Sequence, residues 1–100
     1  MEKRTPHCKL SIVKAIVKEG RVKATMSAFS GAREIGIDDL AAMCDVVMSL
    51  NQENFYKSMT THNDHQIWQD VYRKKIDARM TVYLKLTVID DVLIVSFKEQ

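Results

Sequence analysis

The sequence predicts an α+β fold: an antiparallel sheet with two to three helices packed mainly on one face. Three observations lead there. The apolar period is helical up to Leu50 and becomes two from Phe55 onward. Glycines fall where the first two helices would stop, at Gly20 and Gly36. The last stretch, MTVYLKLTVIDDVLIVSFK, reads as one long hairpin. Helices followed by a run of strands is the order that lays helices against a sheet. A chain of 100 residues, 46% of them apolar, suits one domain, residues 1–100, with a thin core.

The first helix is expected from about Cys8 to Glu19. Leu10, Val13 and Val17 form its apolar stripe, widened by Ile12 and Ile16, and Lys14, Lys18 and Arg21 line another face. A short strand over 21–25 follows. Ser27 is the expected cap of a second helix through Glu34, and Asp38 that of a third. The third carries the stripe Leu40, Met43, Cys44, Val47 and Leu50. A methionine in such a stripe is core filling.

Charge and cysteine usage narrow the function classes. The net charge is only +2, but Lys3, Arg4, Lys9, Lys14, Lys18, Arg21 and Lys23 stand against Glu19 alone within residues 3–23. Such asymmetry suits an anionic partner, nucleic acid or acidic protein, and equally a solvated helix face. Cys8 and Cys44 have no second cysteine at ligand spacing and read as reduced thiols. MEKRTPH has no apolar core behind its charges, and no apolar run is long enough to cross a bilayer. The expectation is a cytoplasmic protein with no membrane association.

Four strands are expected: 55–61, 67–73, 80–90 and 92–98. In the final hairpin, Val82, Leu84, Leu86 and Val88 share the core face, and Tyr83, Lys85 and Thr87 share the other. A two-residue turn at Asp90-Asp91 sets Ile89 opposite Val92, which puts Tyr83 opposite Lys98 and Lys85 opposite Ser96. In the hairpin FYKSMTTHNDHQIWQDVYR, an odd-length turn such as His62-Asn63-Asp64 puts Lys57 directly opposite Gln69. An even turn separates their faces unless a bulge intervenes. Trp68 and Tyr72 share the alternate face with Asp70.

If Lys57 and Gln69 join Tyr83 and Lys98, two ammonium groups, a phenol and an amide converge. The set holds no carboxylate pair, no metal-ligand cluster and no glycine-rich loop, so it expects no cofactor and no metal. It matches what RNA cleavage without a metal needs: proton removal from a 2′-hydroxyl, proton delivery to the leaving 5′-oxygen, and positive charge facing the phosphorane. Lysine and tyrosine, with ordinary pKa values of about 10.4 and about 10, are weak bases at neutral pH. Neighbouring cations would ease proton release from either. The bland alternative is the wet face of an amphipathic sheet. His62 and His65 are a rival acid–base pair, or simple turn polarity.

FYKSMTT, DHQIWQDVYR, VYLK, VLIVSFKE and the opening MEKRTPH closely resemble the MqsR family, the motility quorum-sensing regulator toxins. The resemblance covers essentially the whole chain. It implies the RelE-like toxin fold and a type II toxin–antitoxin system. The implied activity is a ribosome-independent, metal-independent mRNA endoribonuclease cutting at short GC-containing sites. It also implies a partner, an MqsA-like zinc-binding antitoxin that binds operator DNA, so that the toxin reaches operator DNA only through it. The family's catalytic lysine, glutamine, tyrosine and second lysine match Lys57, Gln69, Tyr83 and Lys98. Tyr56, Met59 and Arg73 match positions near that site, and Lys85 joins them as a substrate-binding candidate. In this resemblance Lys57 meets the phosphate and is a candidate for proton transfer, Tyr83 is acid or base, Gln69 orients phosphate or base, and Lys98 is a second cation beside the tyrosine. The alternative is a non-catalytic RNA- or protein-binding module of the same fold, acting as an antitoxin-linked transcriptional co-regulator.

Overall fold

The computed structural model describes residues 1–100. Its elements in chain order are β1 (Glu2–Lys3), α1 (Leu10–Lys18), β2 (Val22–Ala24), α2 (Met26–Glu34), α3 (Leu40–Ser49), β3 (Phe55–Thr60), β4 (Trp68–Lys75), β5 (Thr81–Ile89) and β6 (Asp91–Glu99). The six strands form one sheet in the order β1-β3-β4-β5-β6-β2. Every pairing is antiparallel except β2 with β6, which is parallel. This is the expected α+β architecture with three helices, and it is consistent with the RelE-like toxin fold.

The helices share one face of the sheet because their apolar stripes feed a single core. Val13 and Val17 of α1, Ala28 and Ala32 of α2, and Met43 and Val47 of α3 pack with Tyr72, Val82, Leu84, Leu86, Val92, Ile94 and Phe97. Ile12, expected to widen the α1 stripe, is instead half exposed. Gly20 and Gly36 take left-handed φ angles of +81° and +84°, which end α1 and α2 at little steric cost.

Two expected caps are displaced. Thr25, not Ser27, caps α2: its hydroxyl accepts from the Ala28 N–H at 3.1 Å and donates to the Val95 carbonyl at 2.8 Å. Thr25 thereby ties the helix start to β6, a tertiary contact that helix propensity does not encode. Asp39, not Asp38, caps α3, accepting from the Ala42 N–H at 2.8 Å. Asp39 has the extended backbone that a cap requires.

α2 lies unusually close to β6. A Cβ added to Gly31 would stand 2.1 Å from the Phe97 carbonyl oxygen and 3.3 Å from Lys98 Cβ. Only a glycine lets the helix backbone sit this near the strand that carries Lys98. On the other side of the molecule, the segment after β1 is pinned by Asp70, which is almost fully buried. Its carboxylate accepts from the backbone N–H groups of His7 (2.9 Å) and Cys8 (3.1 Å) and from the Ser58 hydroxyl (2.6 Å). Burial pushes the Cys8 and Cys44 thiols up, and both are free.

Candidate active site on the open face of the sheet

The face opposite the helices carries the candidate residues. Cross-strand partners point to the same side of a sheet, so the register sorts them into three rows. The first runs Glu2, Met59, Gln69 across β1, β3 and β4. The second runs Lys57, Val71, Lys85, Ser96 across β3 to β6. The third runs Arg73, Tyr83, Lys98 across β4 to β6. All four expected catalytic side chains and three of the expected substrate-binding ones, Met59, Arg73 and Lys85, therefore share one surface.

Tyr56 completes the set from a bulge. Phe55 pairs with Tyr72, but Lys57 pairs with Val71, so Tyr56 is the extra residue in β3. The bulge leaves Phe55 against the core and turns Lys57 to the open face. The Tyr56 ring then lies under Arg73, whose guanidinium carbon is 3.8 Å from the ring centre, with Lys57 at 5.3 Å and Arg4 at 5.6 Å. Arg4 also donates to the Tyr56 carbonyl at 3.4 Å. Three cations around one phenol ring make a surface suited to phosphate or to a stacked base.

The register departs from expectation in two places. Lys57 is opposite Val71, not Gln69, because the β3–β4 loop closes with Thr61 bonded to Ile67 rather than around a three-residue turn. Gln69 is opposite Met59 and diagonal to Lys57, on the same face. In the last hairpin the turn is one residue tighter than Asp90-Asp91: Asp90 alone, at φ +64°, joins Ile89 to Asp91. Leu86 then faces Ile94, while Lys85 faces Ser96, so Val95 is an extra residue in β6. This bulge restores the pairing of Tyr83 with Lys98. Lys98 and Lys85 place their ammonium groups 5.6 and 5.9 Å from the Tyr83 ring centre.

Lys57 is not the free base that cation crowding was expected to favour. Its Nζ donates to Glu2 Oε1 at 2.6 Å. That hydrogen bond is the main reason its pKa is raised above the ordinary lysine value, and the Glu2 charge acts the same way. Lys57 is held as an ammonium. Glu2 is pulled below the ordinary carboxylate range, first by the same hydrogen bond and then by the Lys57 charge. Sequence reasoning missed Glu2 and Arg4, since a two-residue strand has no period to read.

The histidines stand apart. His62 and His65 are exposed in the β3–β4 loop, which is organised by Thr61 and Asp64: the Asp64 N–H bonds Thr61 Oγ1 at 3.0 Å and the Gln66 N–H bonds Asp64 Oδ1 at 2.8 Å. His7 stacks on Trp68 on the alternate face, at 5.5 Å between ring centres. No three His, Cys, Asp or Glu side chains gather anywhere in the chain. The main concavity, about 670 Å3, lies away from these rows, between the start of α1 and the Phe55–Tyr72 side of the sheet. The candidate residues lie instead on the open face of the sheet.

The family described as "Motility quorum-sensing regulator, toxin of MqsA" matches residues 5–99. The chain belongs to that toxin family. A curated relative, the mRNA interferase toxin MqsR of Escherichia coli (strain K12), is 57% identical over 100 residues, covering 100% of both chains. The family match spans every strand of the sheet that carries the candidate rows except β1, which the full-length relative also covers, and the two confirm the resemblance carried by the FYKSMTT and VYLK motifs.

Proposed function

We infer that this chain is the toxin of a type II toxin–antitoxin pair and an mRNA endoribonuclease that blocks growth by destroying messages. The observation that carries this reading is the open face itself, in a chain of this family. Lys57, Gln69, Tyr83 and Lys98 share it with Tyr56, Met59, Arg73 and Lys85. A surface of four cations, two phenols and an amide suits a phosphodiester.

The chemistry is metal-independent cleavage. Lys57, held as a cation, faces the non-bridging oxygens of the scissile phosphate and the charge that grows on the phosphorane. Gln69 orients that phosphate or the adjoining base. Tyr83 moves a proton, with Lys98 and Lys85 beside it. Arg73 and Tyr56 hold the neighbouring nucleotide by charge and stacking, and Met59 supplies apolar contact. The open, shallow face accepts single-stranded message without a ribosome. Short GC-containing sites are the expected targets.

The antitoxin is an MqsA-like zinc-binding protein, and operator DNA is reached only through it. The site of action is the cytoplasm. No helix is long and apolar enough to cross a membrane. The test is incubation with a defined single-stranded RNA in EDTA. Discrete cuts ending in 2′,3′-cyclic phosphate support the reading. RNA that is bound but intact would favour the non-catalytic binding module.

A further inference from the structure

RNA transphosphorylation needs a group that takes the 2′-hydroxyl proton, and with Tyr83 assigned to the leaving oxygen the other expected site residues include neither a carboxylate nor an imidazole to take it. Lys57 is committed as an ammonium. Arg73 is a permanent cation. Gln69 has no basic atom. His62 and His65 lie in the loop beyond β3, and His7 is stacked on Trp68 on the other face. Carboxylates are scarce as well. Asp70 is buried on the helix side and holds the His7 and Cys8 amides. Asp91 is at the far end of the last hairpin, bonded to Arg21 Nε at 3.0 Å. Glu99 pairs with Val82, which points to the core face.

Glu2 is the exception. It pairs with Met59, in line with Gln69, and its Oε1 accepts from Lys57 Nζ at 2.6 Å. Its Oε2 has no protein partner, and its side chain is half exposed where Lys57 is mostly covered. A carboxylate thus stands at the edge of the cationic face with one oxygen fixed on the phosphate-binding lysine and the other available to substrate.

We propose that Glu2 is the general base of the cleavage reaction, a role that rests on the ribonuclease reading above. Glu2 Oε2 takes the proton from the 2′-hydroxyl as O2′ forms its bond to phosphorus. The P–O5′ bond breaks, and the Tyr83 hydroxyl gives its proton to O5′. The products are a 2′,3′-cyclic phosphate and a free 5′-hydroxyl. Glu2 then returns its proton to water, and Tyr83 recovers one. Lys57, bonded to Glu2, holds the phosphate beside the carboxylate. The groups that bias Glu2 are Lys57 on β3 and, on its own segment, Arg4 and the Met1 ammonium. When an RNA phosphate competes for Lys57, that bias weakens and the carboxylate becomes a stronger base. Substrate binding itself thereby readies the base.

The test compares wild type, Glu2→Gln and Glu2→Ala in single-turnover cleavage, with affinity measured on an RNA carrying a 2′-deoxy sugar at the cut. Glu2→Gln should lose roughly 100-fold or more in rate, bind the uncleavable RNA as well as wild type or more tightly, and melt close to the wild-type temperature, because an exposed ion pair contributes little to stability. Added formate should restore part of the Glu2→Ala rate. If wild type cuts and Glu2→Gln cuts as fast or faster, Glu2 only neutralises Lys57 and the proposal is overturned while the ribonuclease reading stands. A rate loss matched by lost RNA binding, without formate rescue, also overturns it. If wild type itself fails to cut, both fall together.

Discussion

Tyr83 and Lys98 face each other across β5 and β6, with the lysine ammonium 5.6 Å from the centre of the phenol ring. Arg73 flanks the tyrosine from β4. A phenol between two cations in one row can deliver a proton to the leaving oxygen of a phosphate that the cations hold. Tyr83→Phe should therefore reduce single-turnover cleavage by roughly 100-fold or more, while leaving RNA affinity and the melting temperature nearly unchanged. Lys98→Ala should weaken affinity and rate together. Cleavage kinetics alongside binding of an uncleavable RNA separate the two effects.

The Glu2–Lys57 pair sets a pH signature. Glu2 is pulled below its ordinary 4.5, so its share of stability is present above that value and is lost as pH falls through the folded value. Lys57 is pushed above its ordinary 10.5, so its share is present below that value and is lost as pH rises through the folded value. Between those limits the pair is intact and Lys57 stays charged. In an NMR titration, the Glu2 carboxyl carbon should change below pH 4.5 and the Lys57 Cε above pH 10.5. Glu2→Gln should move the Lys57 midpoint down, and an unmoved midpoint would contradict the pairing.

Asp70 couples stability to the site. Its carboxylate holds the His7 and Cys8 amides and the Ser58 hydroxyl, and so fixes the path of the chain that leads into α1 from β1. Asp70→Ala leaves those donors without an acceptor and should cost about 3 kcal/mol in urea unfolding. Asp70→Asn keeps one oxygen and should cost less. The alanine variant should also cut RNA more slowly under folding conditions, because β1 and Glu2 lose their anchor.

Gly31 tests the packing behind Lys98. An added methyl group would meet the Phe97 carbonyl at 2.1 Å, and neither the α2 backbone nor the strand can yield cheaply. Gly31→Ala should destabilise by about 3 kcal/mol, the upper range for overpacking. For a domain of this size that lowers Tm by roughly 12 °C or more. A variant that melts like wild type would contradict this close approach.

Much of the fold was legible because hydrophobic period changes sharply between Leu50 and Phe55, and the core stripes of α3 and β5 followed it. The Tyr83–Lys98 pairing was also anticipated, but through compensating departures. The Asp90 turn is one residue tighter than Asp90-Asp91, and the Val95 bulge adds the residue back. Neither leaves a mark in an unbroken run of β-formers such as VLIVSF. Lys57 and Gln69 share a face, as an odd-length turn would place them, yet a longer loop makes them diagonal rather than opposite. Caps slid by one or two residues because tertiary contacts, such as Thr25 to Val95, choose among equivalent polar side chains. Glu2 was invisible: its partner Lys57 is 55 residues away, and only the assembled sheet brings them together.

The central claim is that RNA is cut on the open face of the sheet and not merely gathered by the basic face of α1. The most direct measurement is an amide NMR titration with an RNA made uncleavable by a 2′-deoxy sugar. Shifts should concentrate at Lys57, Met59, Gln69, Arg73, Tyr83 and Lys98. Shifts confined to Lys14, Lys18 and their neighbours on α1, with β3 to β6 unmoved, would contradict it.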